Sequence, residues 1–209
     1  MTPDRDFDAQ WWEQHYRGTV GRLSGTPSAQ LVAEVAGVSP GTVFEAGCGT
    51  GADAVWLARQ GWVVTAVDIS PTAVQRARML AVQHEPEASN RISWLVADLT
   101  AWQPPRQYDL VVSQYVHPDM PFGEFVTRLA HTVAEGGTLL IVGHDRDDSH
   151  SAAHAPQTAS IALDAVIGAL EPSEWHLAVA EGRTRQVTRG ATTLSIADMV
   201  VKAYRNRSA

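Results

Sequence analysis

Three glycines alternate along one short stretch, at Gly47, Gly49 and Gly51, directly after the apolar segment Thr42–Ala46. Glycine tolerates backbone angles that other residues avoid, so this spacing predicts a tight turn that lets the backbone approach a ligand. The ligand stays open at this point. With Ala52 the glycines also satisfy a loose dinucleotide-binding fingerprint, and a turn that binds nothing has a similar composition.

Three acidic residues lie at or near the ends of successive apolar stretches. One such acid could be an ordinary surface residue, but three in succession form a pattern. Glu45 precedes the first glycine by two residues, where its carboxylate would face an amino group and repel a pyrophosphate, so it disfavours a dinucleotide. Asp68 ends the next predicted strand, 17 residues after Gly51, a position suited to accepting from both ribose hydroxyls. Asp98 ends the third strand, where an adenine amino group could donate to it.

Two histidines are candidates for moving a proton. His144 ends the predicted fifth strand, and His117 lies in the loop after the fourth. An imidazole exchanges a proton near neutral pH, and an alcohol needs a base before it becomes a good nucleophile. We predict that His144 is the general base and that His117 positions the substrate or shares the proton path. The alternative for each is a polar loop residue with no catalytic role.

Acidic and histidine residues crowd the stretch from 144 to 154. Hard divalent cations prefer carboxylates, so a magnesium site is kept open, with Asp119 and Asp145 as its ligands. His150 and His154 have an i,i+4 spacing that would suit a transition metal if the loop were helical. Because neither spacing is specific, a solvated loop over the substrate pocket is the favoured interpretation.

These residues require a scaffold in which short apolar runs alternate with helical patterns. Strands are predicted at Thr42–Ala46, Trp62–Val67, Ile92–Ala97, Tyr108–Ser113, Thr138–Val142, Trp175–Thr184 and Thr193–Arg205. Helices are predicted at Ala52–Gln60 with Gly61 as its C-cap, after the N-cap Ser70 and Pro71, at Phe122–Val133 and at Gln157–Leu170. The alternation favours a mostly parallel sheet covered on both faces, with an antiparallel edge. Right-handed crossovers bring the carboxyl ends of the parallel strands to one rim, where ligands bind.

In combination, the motifs between Thr42 and Val142 resemble the class I S-adenosylmethionine-dependent methyltransferase family. EAGCGTG matches its glycine-rich first motif, and VDIS, ADLT, YDLVVS and EGGTLLIV match its second to fifth strands. The resemblance implies an α/β fold, a Rossmann-like three-layer α/β/α sandwich with a seven-stranded, mostly parallel sheet and an antiparallel last strand. It also implies S-adenosylmethionine as the cofactor. The implied cofactor-binding residues are Glu45, Gly47, Cys48, Gly49 and Gly51 around the methionine portion, Asp68 and Ile69 at the ribose, Asp98 and Leu99 at the adenine, and Gln114 after the fourth strand.

Aromatic residues near the amino terminus, Phe7, Trp11, Trp12 and Tyr16, resemble the leader helix that covers the cofactor in many small-molecule methyltransferases. Their rings could attract the positive sulfonium or exclude water, which adds Trp12 and Tyr16 to the predicted cofactor site. Arg22 is predicted to reach the methionine carboxylate. The alternative is that the rings only pack the helix onto the sheet.

The bulk composition argues against several classes of function. The 209 residues carry 23 acidic and 16 basic side chains, a net charge of −7, without a basic stripe suited to nucleic acid. No apolar run reaches the roughly 18–20 residues of a membrane span. A single cysteine and the lack of a secretory signal predict a cytoplasmic protein. We expect one domain over 1–209, with a helical cap over 1–40 and a core over 41–209; a homodimer is kept open.

Two features that the sequence lacks limit the chemical class of the methyl acceptor. Ser113–Val116 lacks the Asn/Asp-Pro-Pro-aromatic element with which some family members orient a planar amino group, which argues against methylation of bases or glutamine. The chain has no room for a target-recognition domain, so a small molecule is expected, with the hydroxyl of a saccharide as the first candidate. The alternatives are a thiol, metalloid or amine methyltransferase, a non-catalytic S-adenosylmethionine-binding module and a nicotinamide dehydrogenase.

Overall fold

The computed structural model describes residues 8–18, 26–145, 160–161, 163–189 and 192–207. The strands in these ranges are β1 Thr42–Ala46, β2 Val63–Asp68, β3 Ile92–Val96, β4 Tyr108–Gln114, β5 Val133–Asp145, β6 Ser160–Ile161, β7 Trp175–Arg189 and β8 Thr192–Arg205. The helices are α1 Ala9–Gly18, α2 Ala29–Val35, α3 Ala52–Arg59, α4 Pro71–His84, α5 Pro86–Ser89, α6 Phe122–Ala130 and α7 Leu163–Ile167. None of the described helices is long and apolar enough to span a bilayer.

Seven strands form one continuous sheet in the order β3-β2-β1-β4-β5-β8-β7. The first five of these pair in parallel, whereas β8 runs antiparallel to both β5 and β7. The predicted α/β fold, a seven-stranded and mostly parallel sheet with an antiparallel last strand, is confirmed. The two-residue β6 is an addition that pairs in parallel with the end of β5.

Two apolar layers cover the sheet, and alternation along β1 divides its residues between them. Val43 packs in a cluster with Leu31 of α2 and Leu57 of α3. Phe44 points to the opposite face and joins a cluster that includes Phe125 of α6. Because both faces are buried, the central strands are nearly continuous apolar runs, as the sequence predicts for a three-layer sandwich.

The ends of two helices follow the predicted capping chemistry. Ser70 caps α4, because its hydroxyl accepts from the backbone N–H of Ala73 at 3.2 Å, and Pro71 occupies the first turn. Helix α3 ends in a Schellman motif around Gly61, whose φ is +97°. Trp62 N–H donates to the Leu57 carbonyl at 3.1 Å, and Gly61 N–H donates to that of Ala58 at 3.0 Å.

One predicted helix and one predicted strand in the middle of the chain are wrong in extent. The helix predicted over Phe122–Val133 ends at Ala130, because Thr132 Oγ1 donates to the Leu129 carbonyl at 2.7 Å and Val133 already pairs with Tyr108 of β4. The strand predicted over Thr138–Val142 is the middle of the thirteen-residue β5.

The carboxyl-terminal third departs furthest from the prediction. In place of a helix over Gln157–Leu170, the structure has β6 and then the five-residue α7, because backbone pairing with the end of β5 takes Ser160–Ile161 into the sheet. The strand predicted over Trp175–Thr184 continues to Arg189 and pairs with β8.

Candidate active site

A cavity of about 460 Å³ opens where β1, β2 and β4 reach their carboxyl ends. On the sheet side it is lined by Gly47, Asp68 and Gln114. Helix α1 closes the opposite side with the rings of Trp11, Trp12, His15 and Tyr16. This volume lies within the usual range of small-molecule sites, roughly 300–1,000 Å³.

The glycine loop forms the floor of the cavity. Its backbone conformation and its close neighbours require glycine at two positions. Gly47 has a φ of +80°, and a β-carbon there would lie 2.2 Å from Val116 Cγ2. Gly49 has a φ of +51°, and a β-carbon there would lie 2.9 Å from the Tyr16 hydroxyl oxygen. The loop is fixed to β2, since the N–H groups of Gly47 and Cys48 both donate to the Val67 carbonyl, at 2.8 and 2.9 Å.

Asp68 ties this loop to the start of α4. One carboxylate oxygen accepts from Gly49 N–H at 2.8 Å and the other from Ser70 N–H at 2.9 Å. Burial raises the pKa of Asp68 above its ordinary value, although these two hydrogen bonds act in the opposite direction. A carboxylate offers about four acceptor positions, so two remain for the hydroxyls of a ribose.

Asp98 and Leu99 line the same cavity one strand further along the sheet. The backbone N–H and the hydroxyl of Thr100 donate to one oxygen of Asp98, at 2.8 and 2.7 Å. This local turn fixes the direction of the carboxylate beside the cavity. The acids predicted for the ribose and the adenine are therefore brought to one wall.

A smaller cavity of about 140 Å³ lies beside the first, between the glycine loop and the end of β4. It is lined by Glu45, Gly47, Cys48, Gly49, Thr50, Gly51, Ala52, Asp53, Gln114 and Tyr115. Two of its polar atoms, Glu45 Oε2 and Gln114 Oε1, are buried without a hydrogen-bond partner among the described residues. Burial raises the pKa of the Glu45 carboxyl well above its ordinary value, and the charges of Asp53 and Asp68 raise it further.

Asp53 is a site residue that the sequence reasoning missed. Its carboxylate accepts from Gln114 Nε2 at 2.6 Å and from Ser28 N–H at 2.7 Å, so it joins α3, β4 and the segment before α2. Burial is the main reason that the pKa of Asp53 is raised. From sequence, an acid in the first turn of a helix is explained by the helix dipole alone, which gives no indication of this role.

Helix α1 is held over the cavity by contacts with α4. Glu13 accepts from the hydroxyls of Thr72 and Ser70, at 2.6 and 2.7 Å, and from Thr72 N–H at 3.1 Å. Hydrogen bonds from Thr72 and Ser70 lower the pKa of Glu13 to about 2. Arg76 donates to the Tyr16 carbonyl at the other end of the contact. The sequence reasoning predicted the covering helix but not Glu13.

His117 stands at the end of the cavity away from the predicted adenosine wall. Its ring is nearly parallel to that of Trp12, with an interplanar angle of 9° and centroids 6.0 Å apart. Burial lowers the pKa of His117 to about 4, with a smaller contribution from the nearby His144. At neutral pH this imidazole is therefore uncharged and able to accept a proton or a hydrogen bond.

His144 is not among the residues that line either cavity. It lies at the end of β5 with 24% of its side chain exposed, and its Nδ1 is 3.6 Å from Oδ1 of the buried Asp198. Its ring packs on Tyr115, with centroids 4.8 Å apart, and Tyr115 lines both cavities. His144 thus stands behind the cavity wall, and its role as the base stays a prediction.

Of the remaining predicted residues, some line the larger cavity, one lines neither cavity and others lie outside the described residues. Ile69 lines the larger cavity together with Asp119, whereas Asp145 lines neither cavity. Among the described residues no group of three or more His, Cys, Asp or Glu side chains is arranged to hold a metal ion, and a magnesium site at Asp119 and Asp145 stays a prediction. Arg22 and the residues 146–154, which include His150 and His154, lie outside the described residues.

Known proteins with similar sequences are methyltransferases. Residues 43–137 match the family model described as a methyltransferase domain. The match covers less than half of the chain, and it agrees with the resemblance to class I S-adenosylmethionine-dependent methyltransferases. It is similar to a ubiquinone biosynthesis O-methyltransferase of Xylella fastidiosa (strain 9a5c), with 29% identity over 138 residues, which are 65% of this chain and 54% of that relative. The chain thus spans about half the length of the curated relatives that it matches first.

Solved structures share the fold of this chain. One, described as "Conversion of a Disulfide Bond into a Thioacetal Group during Echinomycin Biosynthesis", gives a TM-score of 0.71 at 22% identity, over 96% of this chain and 93% of that chain. Another is the N-methyltransferase NodS from Bradyrhizobium japonicum WM9 in complex with S-adenosyl-L-homocysteine, with a TM-score of 0.69 at 17% identity, over 96% of this chain and 99% of that chain. At these identities the likeness extends to the fold alone.

The residues that line the two cavities fit S-adenosylmethionine, the cofactor that the resemblance implies. Asp68 and Asp98 line the larger cavity, where they would accept from the ribose and the adenine. In the smaller cavity, the unpartnered oxygens of Glu45 and Gln114 would accept from the ammonium group of the methionine portion. The space above Gly47 and Gly49, which a β-carbon would fill, lets the backbone approach between the two ends.

Proposed function

We propose that this protein transfers the methyl group of S-adenosylmethionine to a hydroxyl of a small polar molecule. The proposal depends on one observation: a single cavity joins the two carboxylates of the adenosine wall, Asp68 and Asp98, to an opposite end lined by Tyr115 and His117. A cavity of about 460 Å³ has room for a cofactor and a small acceptor but not for a macromolecule. The name of the Xylella fastidiosa relative, an O-methyltransferase, supports the same acceptor atom.

When bound, S-adenosylmethionine supplies an electrophilic methyl group on a sulfonium. The chain then has two tasks, to align the acceptor oxygen with that methyl group and to take up the acceptor's proton. His117 serves the first task, because it lines the cavity and its pKa of about 4 leaves it neutral. His144 stays the predicted base for the second task, through the nitrogen that faces away from Asp198, although its ring packs behind Tyr115 and lines neither cavity.

A saccharide is the first acceptor to test. The acceptor end combines polar groups, among them His117 and Asp119, with the indole rings of Trp11 and Trp12. Indole faces cover the apolar faces of a sugar ring, while the polar groups hydrogen-bond its hydroxyls. A flat lipophilic acceptor would leave these polar groups without partners, which costs binding free energy.

The test is a transfer assay with labelled S-adenosylmethionine against sugars, phenols, amines and thiols, each with and without magnesium. The proposal expects label in an oxygen ether of one hydroxylated acceptor and loss of that product in His117→Ala. Label found only in thiols or amines, with His117→Ala unimpaired, would move the function to acceptors that are already nucleophilic. Calorimetric binding of S-adenosylhomocysteine without turnover of any acceptor would instead support a non-catalytic binding module. A requirement for magnesium that Asp119→Asn removes would give Asp119 a metal-binding role.

A further inference from the structure

A buried carboxylate outside the cofactor loop joins several elements behind the acceptor end of the cavity. Asp198 lies on β8, and its side chain is 0% exposed. Its Oδ2 accepts from Arg185 Nε at 2.6 Å and from the Tyr115 hydroxyl at 3.0 Å, with Gln30 Nε2 at 3.4 Å. A buried charge is tolerated when such partners surround it, so this oxygen is fully used.

The other oxygen of Asp198 has a different neighbour. Asp198 and His144 are register partners in the antiparallel pair of β8 and β5. Asp198 Oδ1 and His144 Nδ1 lie 3.6 Å apart, and each is buried without a hydrogen-bond partner among the described residues. A shift of about half an ångström would bring them to hydrogen-bond distance and satisfy both atoms.

This pairing decides which nitrogen of His144 carries the proton. An ionised carboxylate only accepts hydrogen bonds, so its neighbour Nδ1 must be the protonated nitrogen and Nε2 keeps the lone pair. Burial by itself would raise the pKa of Asp198, but contacts with His144 and Arg185 hold it below its ordinary value. Asp198 is therefore a permanent anion at neutral pH.

Tyr115 links the same carboxylate to the cavities. It is a non-glycine residue with a φ of +55°, a left-handed conformation that costs free energy and persists where the surroundings enforce it. Its hydroxyl donates to Asp198, its ring packs on His144, and it lines both cavities. The backbone conformation of Tyr115 thus places one side chain between the carboxylate, the imidazole and the ligand space.

We propose that Asp198 is a positioning residue, which fixes His144 in the tautomer whose Nε2 receives the proton of the methyl acceptor. The inference rests on the proposed function. In the step, the acceptor oxygen forms a bond to the methyl carbon as the carbon–sulfur bond breaks. The proton of the hydroxyl goes to Nε2 of His144, and the products are the methyl ether, S-adenosylhomocysteine and an imidazolium that Asp198 stabilises.

Nitrogen NMR of the protein labelled with ¹⁵N-histidine tests this directly. The spectrum of His144→Gln assigns the His144 signals by difference, and the measurement at pH 8.5 needs neither cofactor nor acceptor. We expect the tautomer with the proton on Nδ1 in the native protein. A proton on Nε2, or on both nitrogens, overturns the proposal.

Asp198→Asn supplies the second test. The amide keeps the shape but can present its NH₂ group to His144, so we expect the tautomer to reverse and kcat to fall by roughly 100-fold or more, with KM for S-adenosylmethionine unchanged. Asp109→Asn is the matched control: Asp109 accepts from the N–H and hydroxyl of Thr42 at the opposite end of β4, and its loss should leave tautomer and kcat as they are. A folded Asp198→Asn protein with the native tautomer and kcat overturns the proposal.

Loss of S-adenosylhomocysteine binding in the native protein would instead count against the proposed function, since the NMR result does not depend on it.

Discussion

The two ends of the cavity are built in different ways. At the cofactor end, Gly47, Asp68 and Asp98 follow their strands directly, and the bonds that orient them stay within neighbouring parallel strands. At the acceptor end, the bond between Tyr115 and Asp198 joins residues 83 positions apart. The bonds named at the cofactor end therefore depend on three adjacent strands, whereas those at the acceptor end also depend on the docking of β8.

The largest expected effect is a contrast between a variant at the cofactor end, which should lose affinity, and a variant at the acceptor end, which should lose kcat. Asp68→Ala removes the acceptor for two ribose hydroxyls and the partner of Gly49, so we expect affinity for S-adenosylhomocysteine to fall by roughly 100-fold or more. His117→Ala should lower kcat while this affinity stays within about 3-fold, because the imidazole stands at the other end. Calorimetry and steady-state kinetics on both variants measure the contrast. Equal losses of affinity in the two would contradict the division of the cavity.

The glycine loop offers a sharper test with a matched control. Gly47→Ala should lower cofactor affinity by about 10-fold or more, because its β-carbon would force Val116 out of place beside the cavity. Gly37 has a similar φ of +77°, but a β-carbon there meets nothing within 4 Å. Gly37→Ala should therefore cost only about 1 kcal/mol of unfolding free energy and leave affinity unchanged. Denaturant unfolding and calorimetry separate the two effects.

The contact between α1 and α4 should set how fast the cofactor leaves. Glu13→Gln weakens the bonds to Ser70 and Thr72, so we expect the dissociation rate of S-adenosylhomocysteine to rise by roughly 10-fold. Since the pKa of Glu13 is lowered to about 2, its contribution is complete above the ordinary range of a glutamate and is lost only as pH falls towards 2. Stopped-flow rates should thus show a Glu13 effect that is constant from pH 5 to 8. Gln14→Ala, an exposed change on the same helix, should leave the rate as it is.

The smallest effect concerns the stability of the cofactor-free protein. Burial raises the pKa of Glu45, so its ionisation opposes folding at high pH: the penalty is absent below the ordinary glutamate range and grows as pH rises through the raised pKa. The unfolding free energy of Glu45→Gln, taken relative to that of the native protein, should therefore rise between pH 5 and pH 8. We expect a rise of about 1 kcal/mol, the usual scale for one unpaired buried polar group. Denaturant unfolding of both proteins at the two pH values measures the difference. A difference that stays constant with pH would contradict the buried, unpaired carboxylate.

Most of the predicted cofactor residues line the two cavities, because strand ends and glycine turns are marked by local chemistry. The strand bounds of β1 and the capping of α4 by Ser70 follow from short-range patterns and are confirmed. The helix expected over Gln157–Leu170 failed because strand pairing with β5 outweighed a weak helical pattern. Asp53 and Glu13 were missed for a related reason: their partners lie 61 and 57 residues away, which no local spacing shows.

The sequence by itself determined the order of the seven main strands, the glycine turn and the acids at successive strand ends, since backbone conformation and residue spacing are local properties. Only the tertiary structure decided that His144 faces Asp198, that Tyr115 stands between them and that Glu13 fastens α1 to α4. Those contacts depend on sheet register and helix docking, and both arise from burial of apolar surface across the whole molecule.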